Sequence, residues 1–153
     1  MTAKDLEAVI DPACILLDLE ASTFDECLNA FEPIVWKHQA VLDSEIFLEQ
    51  VRLRESTLST ASGEGVAFPH ARTNAVSRFF LAIGRSRKGI LFPASSPLVH
   101  LIFLIGTPPN AIAEYLGCVA WLAGRVRDPE TRQRLLVAET PEAFVKIVTA
   151  AAS

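Results

Sequence analysis

The run from Val99 to Ile105 constrains the fold more than any other feature, because six of its seven residues are apolar. A strand that is apolar on both faces is typical of a sheet that carries helices on both sides. The run is too short to span a bilayer as a helix. It therefore predicts a central strand, in which the single polar side chain, His100, is most simply a structural histidine.

Weaker patterns place the other elements around this strand. Three more strands are predicted by alternation or by short apolar runs, at 15–19, 66–68 and 79–84. Five helices are predicted by caps and apolar spacing, beginning near Ser22, Asp43 or Ser44, Ala111, Asp128 and Thr140. Pro33 is expected to kink or split the first of them. The order β-αα-βββ-ααα predicts a three-layer α/β/α sandwich with a small mixed sheet, as one domain over residues 1–153.

The composition limits the classes of function. Half of the 153 residues are hydrophobic and 21% are charged, which is typical of a folded chain. The net charge of −4 argues against a nucleic-acid-binding protein, which needs a broad basic face. No signal-peptide pattern is present, so no membrane insertion is expected. The three isolated cysteines lack C-x-x-C spacing and indicate a reducing compartment, so we expect a cytoplasmic protein.

Positive charge is concentrated in one part of the chain. No Asp or Glu occurs between Gly65 and Ala113, where five basic residues are found: Arg72, Arg78, Arg85, Arg87 and Lys88. This distribution predicts a local positive field that would attract an anionic ligand. The same pattern also arises when buried strands exclude carboxylates and the arginines are simply solvated in loops.

One histidine lies in a stiff stretch of backbone between Gly63 and Arg72. Pro69 fixes its own φ and favours an extended conformation at the residue before it. Gly63 and Gly65 allow the main chain to approach a second backbone or a ligand closely. A rigid imidazole at His70, beside free amides and an arginine, is suited to carry a phosphoryl group on nitrogen.

Two upstream pairs, Arg54-Glu55 and Ser59-Thr60, accompany the run Gly65-Val66-Ala67-Phe68-Pro69-His70-Ala71-Arg72. Together with Gly63 they resemble the phosphorylation segment of the type-2 IIA domains of the bacterial phosphotransferase system, the fructose/mannitol-type and nitrogen-regulatory IIA proteins. The resemblance covers nearly the whole chain and implies the same mixed-sheet fold. It implies a phosphotransferase component in which His70 is the catalytic residue. That residue would accept a phosphoryl group from an HPr-like phosphocarrier protein, then pass it to a IIB domain or signal to a regulated protein.

The resemblance also implies supporting roles for three residues near the phosphate. Arg54 matches an arginine whose planar fork suits phosphoryl oxygens, although it can equally pair with Glu49 or Glu55 on its own helix. Thr60 matches a threonine that can donate its hydroxyl to a phosphoryl oxygen, and it is also a plausible turn residue. Arg72 would add positive charge at the site or be a solvated loop residue.

A fourth supporting residue, Tyr115, stands where many members of the family carry a histidine, in the context Glu114-Tyr115-Leu116. A tyrosine can donate one hydrogen bond to a phosphoryl oxygen, but it carries no positive charge near neutral pH. Alternatively, Tyr115 is a structural helix residue whose ring packs in the core and whose hydroxyl is exposed to solvent. The replacement allows a second function, a non-catalytic regulatory module that keeps the scaffold and binds a partner.

Further points stay open at the level of sequence. The attacking ring nitrogen of His70 depends on the bond that the other nitrogen makes. No cofactor or metal is expected, because there is no P-loop or H-E-x-x-H motif and His70 with His100 lacks a third ligand. His38 is interpreted as a cation at a helix C-terminus. Whether the chain forms a homodimer is also open.

Overall fold

The structure is a computed structural model, and it describes residues 1–93 and 97–150. The helices are α1 (Ala3–Val9), α2 (Phe24–Lys37), α3 (Ser44–Thr57), α4 (Ile112–Arg127), α5 (Pro129–Val137) and α6 (Pro141–Thr149), with a 3-10 turn at Pro12–Cys14. The strands are β1 (Ile15–Leu16), β2 (Val66–Ala67), β3 (His70–Arg72), β4 (Phe80–Ile90) and β5 (Val99–Thr107). None of the described helices combines the length and the apolar character that crossing a membrane requires.

The apolar strand β5 lies inside a single mixed sheet, as its composition predicts. The strand order is β1-β4-β5-β2, and β3 also pairs with β5. β4 runs antiparallel to β5, whereas β2 and β3 run parallel to it. β2 pairs at Leu101 and Ile102, and β3 pairs further along at Ile105 to Thr107. The short link between β2 and β3, Phe68-Pro69, is therefore held at both ends by the same central strand.

Helices cover both faces of the sheet, which confirms the predicted three layers. α2 and α3 bury one apolar cluster with the sheet, and its members include Phe31, Phe47 and Ile102. The second cluster lies on the opposite face with α1 and α4–α6, and its members include Leu122, Phe144 and Phe103. Each such fully buried side chain contributes about 1.5–3 kcal/mol of apolar burial. Because neighbouring residues of β5 serve opposite clusters, the strand joins the two cores.

Besides the 3-10 turn at Pro12–Cys14, one helix and one strand were not predicted. α1 begins at a capping box in which the Asp5 amide donates to Thr2 Oγ1 over 3.1 Å and the Thr2 amide donates to Asp5 Oδ2 over 2.8 Å. Only Leu6 of this helix is buried, so its apolar periodicity is too weak to read. β3 is missed for a similar reason, because only Ala71 of its three residues is buried.

Several predicted boundaries also move. β1 spans only Ile15–Leu16, and the cap of α2 is Thr23, one residue after the predicted Ser22. α2 continues through Pro33, which is exposed, because buried residues before and after it anchor the helix to the core. β4 continues to Ile90, six residues past its predicted end at Gly84, with an irregular register between Arg85 and Ile90 and a positive φ of 90° at Gly89. The predicted starts of α5 and α6 are confirmed: each helix has a proline at its first position, and the N-cap residues are Asp128 and Thr140.

Two glycines offer a matched test of the packing between sheet and helix. A Cβ at Gly84 would lie 2.7 Å from both Leu19 Cδ1 and Phe31 Cζ, whereas a Cβ at Gly124 would meet no atom within 4 Å. We expect Gly84→Ala to lower the free energy of unfolding by about 1–3 kcal/mol through overpacking. Gly124→Ala, in an exposed helical position, should raise it by roughly 0.5–1 kcal/mol. Denaturant titration measures both, and equal effects of the two substitutions would contradict the described packing.

Candidate functional site

His70 begins β3 and lies at the edge of a surface pocket. Its main chain is fixed by the pairing of His70 with Ile105, and the Ile105 amide donates to the carbonyl of Pro69 over 3.0 Å. The side chain is half-buried. The pocket has a volume of about 360 Å³, and its lining residues are Gln50, Leu53, Arg54, His70, Ala71 and Arg72. The imidazole is thus held on rigid backbone and remains reachable from solvent.

The geometry of the His70 ring identifies its tautomer. Nδ1 lies 2.9 Å from the carbonyl oxygen of Phe68. A carbonyl oxygen can only accept, so Nδ1 carries the proton of the neutral ring and donates it. The lone pair is then on Nε2. In the neutral side chain, Nε2 is therefore the ring nitrogen whose lone pair is available to form a bond.

Arg54 reaches the pocket from the last turn of α3. One of its terminal nitrogens, Nη1, donates to the carbonyl of Leu58 over 2.6 Å, where the helix ends. Within the described ranges, no ion pair joins Arg54 to Glu49 or Glu55, the alternatives that its position on the helix allowed. Glu49 instead lies 3.8 Å from Arg52. The guanidinium therefore brings an uncompensated positive charge to the pocket of His70.

Tyr115 lies against the ring of His70. The two ring centroids are 5.4 Å apart with an interplanar angle of 43°, and the half-buried tyrosine also packs on the core beneath α4. Burial raises the pKa of Tyr115 above its ordinary value, although the charge of Arg54 acts in the opposite direction. The phenol is therefore neutral at physiological pH and can donate a hydrogen bond.

Thr60 lies behind the pocket and does not line it. Its hydroxyl donates to Glu55 Oε1 over 2.7 Å and accepts from the Phe68 amide over 3.2 Å. Because the proton of the hydroxyl is given to Glu55, a hydrogen bond from Thr60 to a phosphoryl oxygen requires that the hydroxyl rotate. Arg72, by contrast, is exposed, lines the pocket and lies two residues along β3 from His70, on the same side of the strand.

Glu55 was not singled out as a site residue by the sequence reasoning. It is 1% exposed, and its two carboxylate oxygens accept from the amide and the hydroxyl of Thr60. Its position next to Arg54 was the available signal. Neighbouring residues of a helix point about 100° apart, so Glu55 can face the core while Arg54 faces the pocket, and a buried carboxylate needs hydrogen-bond donors.

The positive charge predicted for this segment is only partly at the site. Arg85 is buried, and it donates to the carbonyls of Leu17, Leu135 and Ala138 over 3.1, 2.9 and 2.6 Å. Its burial lowers its pKa, and its role is to bind the C-terminal end of α5 to the sheet. Arg87 lies 3.9 Å from Asp18. Of the five basic residues in this segment, Arg72 lines the pocket, and Arg54 of α3 adds a second positive charge there.

The other two histidines have different surroundings. His100 Nδ1 donates to the carbonyl of Ser86 over 2.9 Å, and the ring lies beside Gly65 and Gly89, both with positive φ. This is the contact expected of a structural histidine. His38 follows the last residue of α2, but its Nδ1 accepts from the Ala40 amide over 3.1 Å. The ring is therefore neutral, and its interpretation as a helix-terminal cation was wrong.

The state of His38 leads to a prediction about pH. Burial, helped by the charge of Arg78, lowers the pKa of His38 below its ordinary value of 6.5. The unfolded chain then binds the proton more readily, so the free energy of unfolding should fall as the pH drops below about 6.5 and level off below the folded pKa. His38→Asn should make this decline shallower in thermal or chemical unfolding between about pH 7.5 and 5. Identical pH profiles for the two proteins would contradict this account.

Known proteins resemble this chain over most of its length. A family model described as the phosphoenolpyruvate-dependent sugar phosphotransferase system, EIIA 2, matches residues 8–151. The fructose-specific EIIABC component of Bacillus subtilis is 30% identical over 135 residues, which are 88% of this chain and 21% of that protein. The chain thus spans about a fifth of the length of that relative.

Two solved structures extend the comparison. The nitrogen regulatory protein IIA-Ntr from Neisseria meningitidis superposes with a TM-score of 0.84 at 27% identity, covering 92% of this chain and 97% of that one. The IIA-mannitol enzyme of Escherichia coli, solved in complex with phosphorylated enzyme IIB-mannitol, has a TM-score of 0.78 at 18% identity. That superposition covers 91% of this chain and 96% of the other, and it shows a common fold.

Proposed function

The chain belongs to the EIIA 2 family of the phosphoenolpyruvate-dependent sugar phosphotransferase system, and we propose that it carries the phosphoryl group on Nε2 of His70. Components of this family act in sugar phosphotransfer or in nitrogen regulation. The observation that carries the proposal is the 2.9 Å bond from His70 Nδ1 to the carbonyl of Phe68. It leaves the Nε2 lone pair free on a rigid, half-buried ring that lines a pocket with two arginines.

The transfer step follows from this arrangement. The Nε2 lone pair forms a bond to the phosphorus of a donor phosphohistidine while the bond from phosphorus to the donor nitrogen breaks, and the donor ring keeps that electron pair. Positive charge develops on the His70 ring as Nε2 becomes bonded, and the carbonyl of Phe68 stabilises it through the Nδ1 proton. Since the transition state of phosphoryl transfer is loose, the site contributes mainly position and charge.

The supporting residues have distinct roles in the proposal. Arg54 and Arg72 line the pocket and supply positive charge to the phosphoryl oxygens. Tyr115 supplies a neutral hydrogen-bond donor beside the ring. Thr60 supports the site through the amide of Phe68, which is two residues before the histidine. No cofactor or metal ion takes part in the proposed step.

We infer the partners from the chemistry of the step. The donor is an HPr-like phosphocarrier protein bearing a phosphohistidine, and the acceptor is a IIB domain or a protein regulated by the phosphorylation state. The complex of the Escherichia coli IIA-mannitol enzyme with phosphorylated IIB-mannitol supports the second partner by analogy of fold.

A phosphorylation assay tests the proposed nucleophile. Incubation with phosphoenolpyruvate, enzyme I and an HPr-like carrier should label the protein with an acid-labile, base-stable phosphoryl group. His70→Ala should abolish the label because the nucleophile is gone, whereas His38→Asn, which removes a histidine away from the pocket, should retain it. Full labelling of His70→Ala would overturn the proposal.

Tyr115 provides a second, graded test. Tyr115→Phe keeps the ring but removes the hydroxyl, so the equilibrium constant for phosphoryl transfer from the carrier should fall about fivefold, corresponding to about 1 kcal/mol for one hydrogen bond. Tyr115→His should recover transfer and add a dependence on pH between about 6 and 7, where that ring titrates. An unchanged equilibrium in Tyr115→Phe would show that the hydroxyl does not contact the phosphoryl group.

The presence of Tyr115 also favours a second candidate, a non-catalytic regulatory module that binds a partner through the same face. In that case His70→Ala would retain normal partner binding and cellular effect. Loss of the effect in His70→Ala, together with loss of the label, would exclude the module.

A further inference from the structure

We propose that Glu55 and Thr60 are positioning residues that set the tautomer of His70 and hold its Nε2 towards the pocket. The inference rests on the proposed function of His70. Glu55 and Thr60 both lie outside the group of residues that line the pocket. They act on the imidazole through the backbone of Phe68.

The contacts form a continuous chain from the core to the ring. The buried carboxylate of Glu55 accepts from the Thr60 amide over 2.6 Å and from the Thr60 hydroxyl over 2.7 Å. With its proton committed to Glu55, the hydroxyl presents a lone pair to the Phe68 amide at 3.2 Å. The carbonyl of the same residue accepts from His70 Nδ1 over 2.9 Å. The amide of Phe68 is thus fixed by Thr60, and the carbonyl of Phe68 accepts the hydrogen bond from His70.

The direction of each proton follows from the carboxylate at the start of the chain of hydrogen bonds. A carboxylate can only accept, so it fixes the orientation of the hydroxyl of Thr60, which can otherwise donate or accept. If the hydroxyl instead pointed its proton at Phe68, it would face another donor and the Phe68 amide would be left without an acceptor. An unsatisfied amide in this part-buried position is unfavourable, so the carboxylate specifies a single arrangement.

The Phe68-Pro69 link explains why a separate support is needed. Pro69 has no amide proton, so no hydrogen bond through the following residue can fix the peptide group that carries the Phe68 carbonyl. The amide of Phe68 is the nearest polar attachment point, and Thr60 occupies it. On the opposite side, the ring of Phe68 stacks on Phe103 of the central strand with centroids 5.2 Å apart. The carbonyl is therefore placed by one polar and one apolar contact.

Thr60→Val is the deciding variant, because it keeps the shape of the side chain and removes both hydrogen bonds of the hydroxyl. The first readout is the pair of ring ¹⁵N shifts of His70, which distinguish a protonated from a bare nitrogen and require no phosphoryl donor. We expect the wild type to show a protonated Nδ1 and a bare Nε2, and Thr60→Val to show a mixture of tautomers. The second readout, the rate of phosphorylation by the carrier, should fall about 10- to 100-fold through misplacement of the ring.

Thr60→Ser is the matched control, since it keeps the hydroxyl and should restore most of the rate and the single tautomer. Glu55→Gln replaces one accepting oxygen by an amide NH₂ group and should change both readouts in the same direction as Thr60→Val. If Thr60→Val does not fold, Glu55→Gln decides in its place. A folded deciding variant with wild-type ¹⁵N shifts and a wild-type rate would overturn the inference. A shifted tautomer in a protein whose wild type takes no phosphoryl group would uphold the positioning role and refute the proposed function.

Discussion

Pairing along the two edges of β5 is the constraint on which the structure depends. One edge is occupied by β4, and the other is shared by β2 and β3, which pair at Leu101–Ile102 and Ile105–Thr107. Both faces of the strand are also covered: α2 and α3 pack on one face, and the remaining helices pack on the other. The apolar clusters on these faces fix the register of the sheet, since a slip of one residue would exchange the two sets of side chains.

The site is built at the gap between β2 and β3. Two residues, Phe68 and Pro69, cross this gap, so the carbonyl of Phe68 has little freedom once both strands are paired. The ring of His70 folds back onto that carbonyl, while α3 brings Arg54 and α4 brings Tyr115 from opposite layers. The three-layer arrangement therefore explains how residues 54, 70 and 115, distant in sequence, meet on one surface.

Much of the architecture could be predicted from local patterns, because the information is local. The apolar run of β5 and the Asp128-Pro129 and Thr140-Pro141 caps each depend on a few neighbouring residues, and all three were predicted. β3 was missed because a strand of three residues with one buried side chain has no period to detect. The buried state of Arg85 was missed because its partners are main-chain carbonyls at Leu17, Leu135 and Ala138, which no sequence pattern reveals.

At the site, too, local patterns were predicted from the sequence and contacts between distant residues were not. The pattern around His70 predicts a nucleophile with nearby arginines, but the ring nitrogen and the role of Glu55 that we propose depend on contacts made in three dimensions. The most direct test is to identify by ³¹P and ¹⁵N NMR the ring nitrogen that carries the phosphoryl group after labelling. We expect phosphorus bonded to Nε2 of His70 with a proton retained on Nδ1. Phosphorus bonded to Nδ1, or to a residue other than His70, would contradict this expectation.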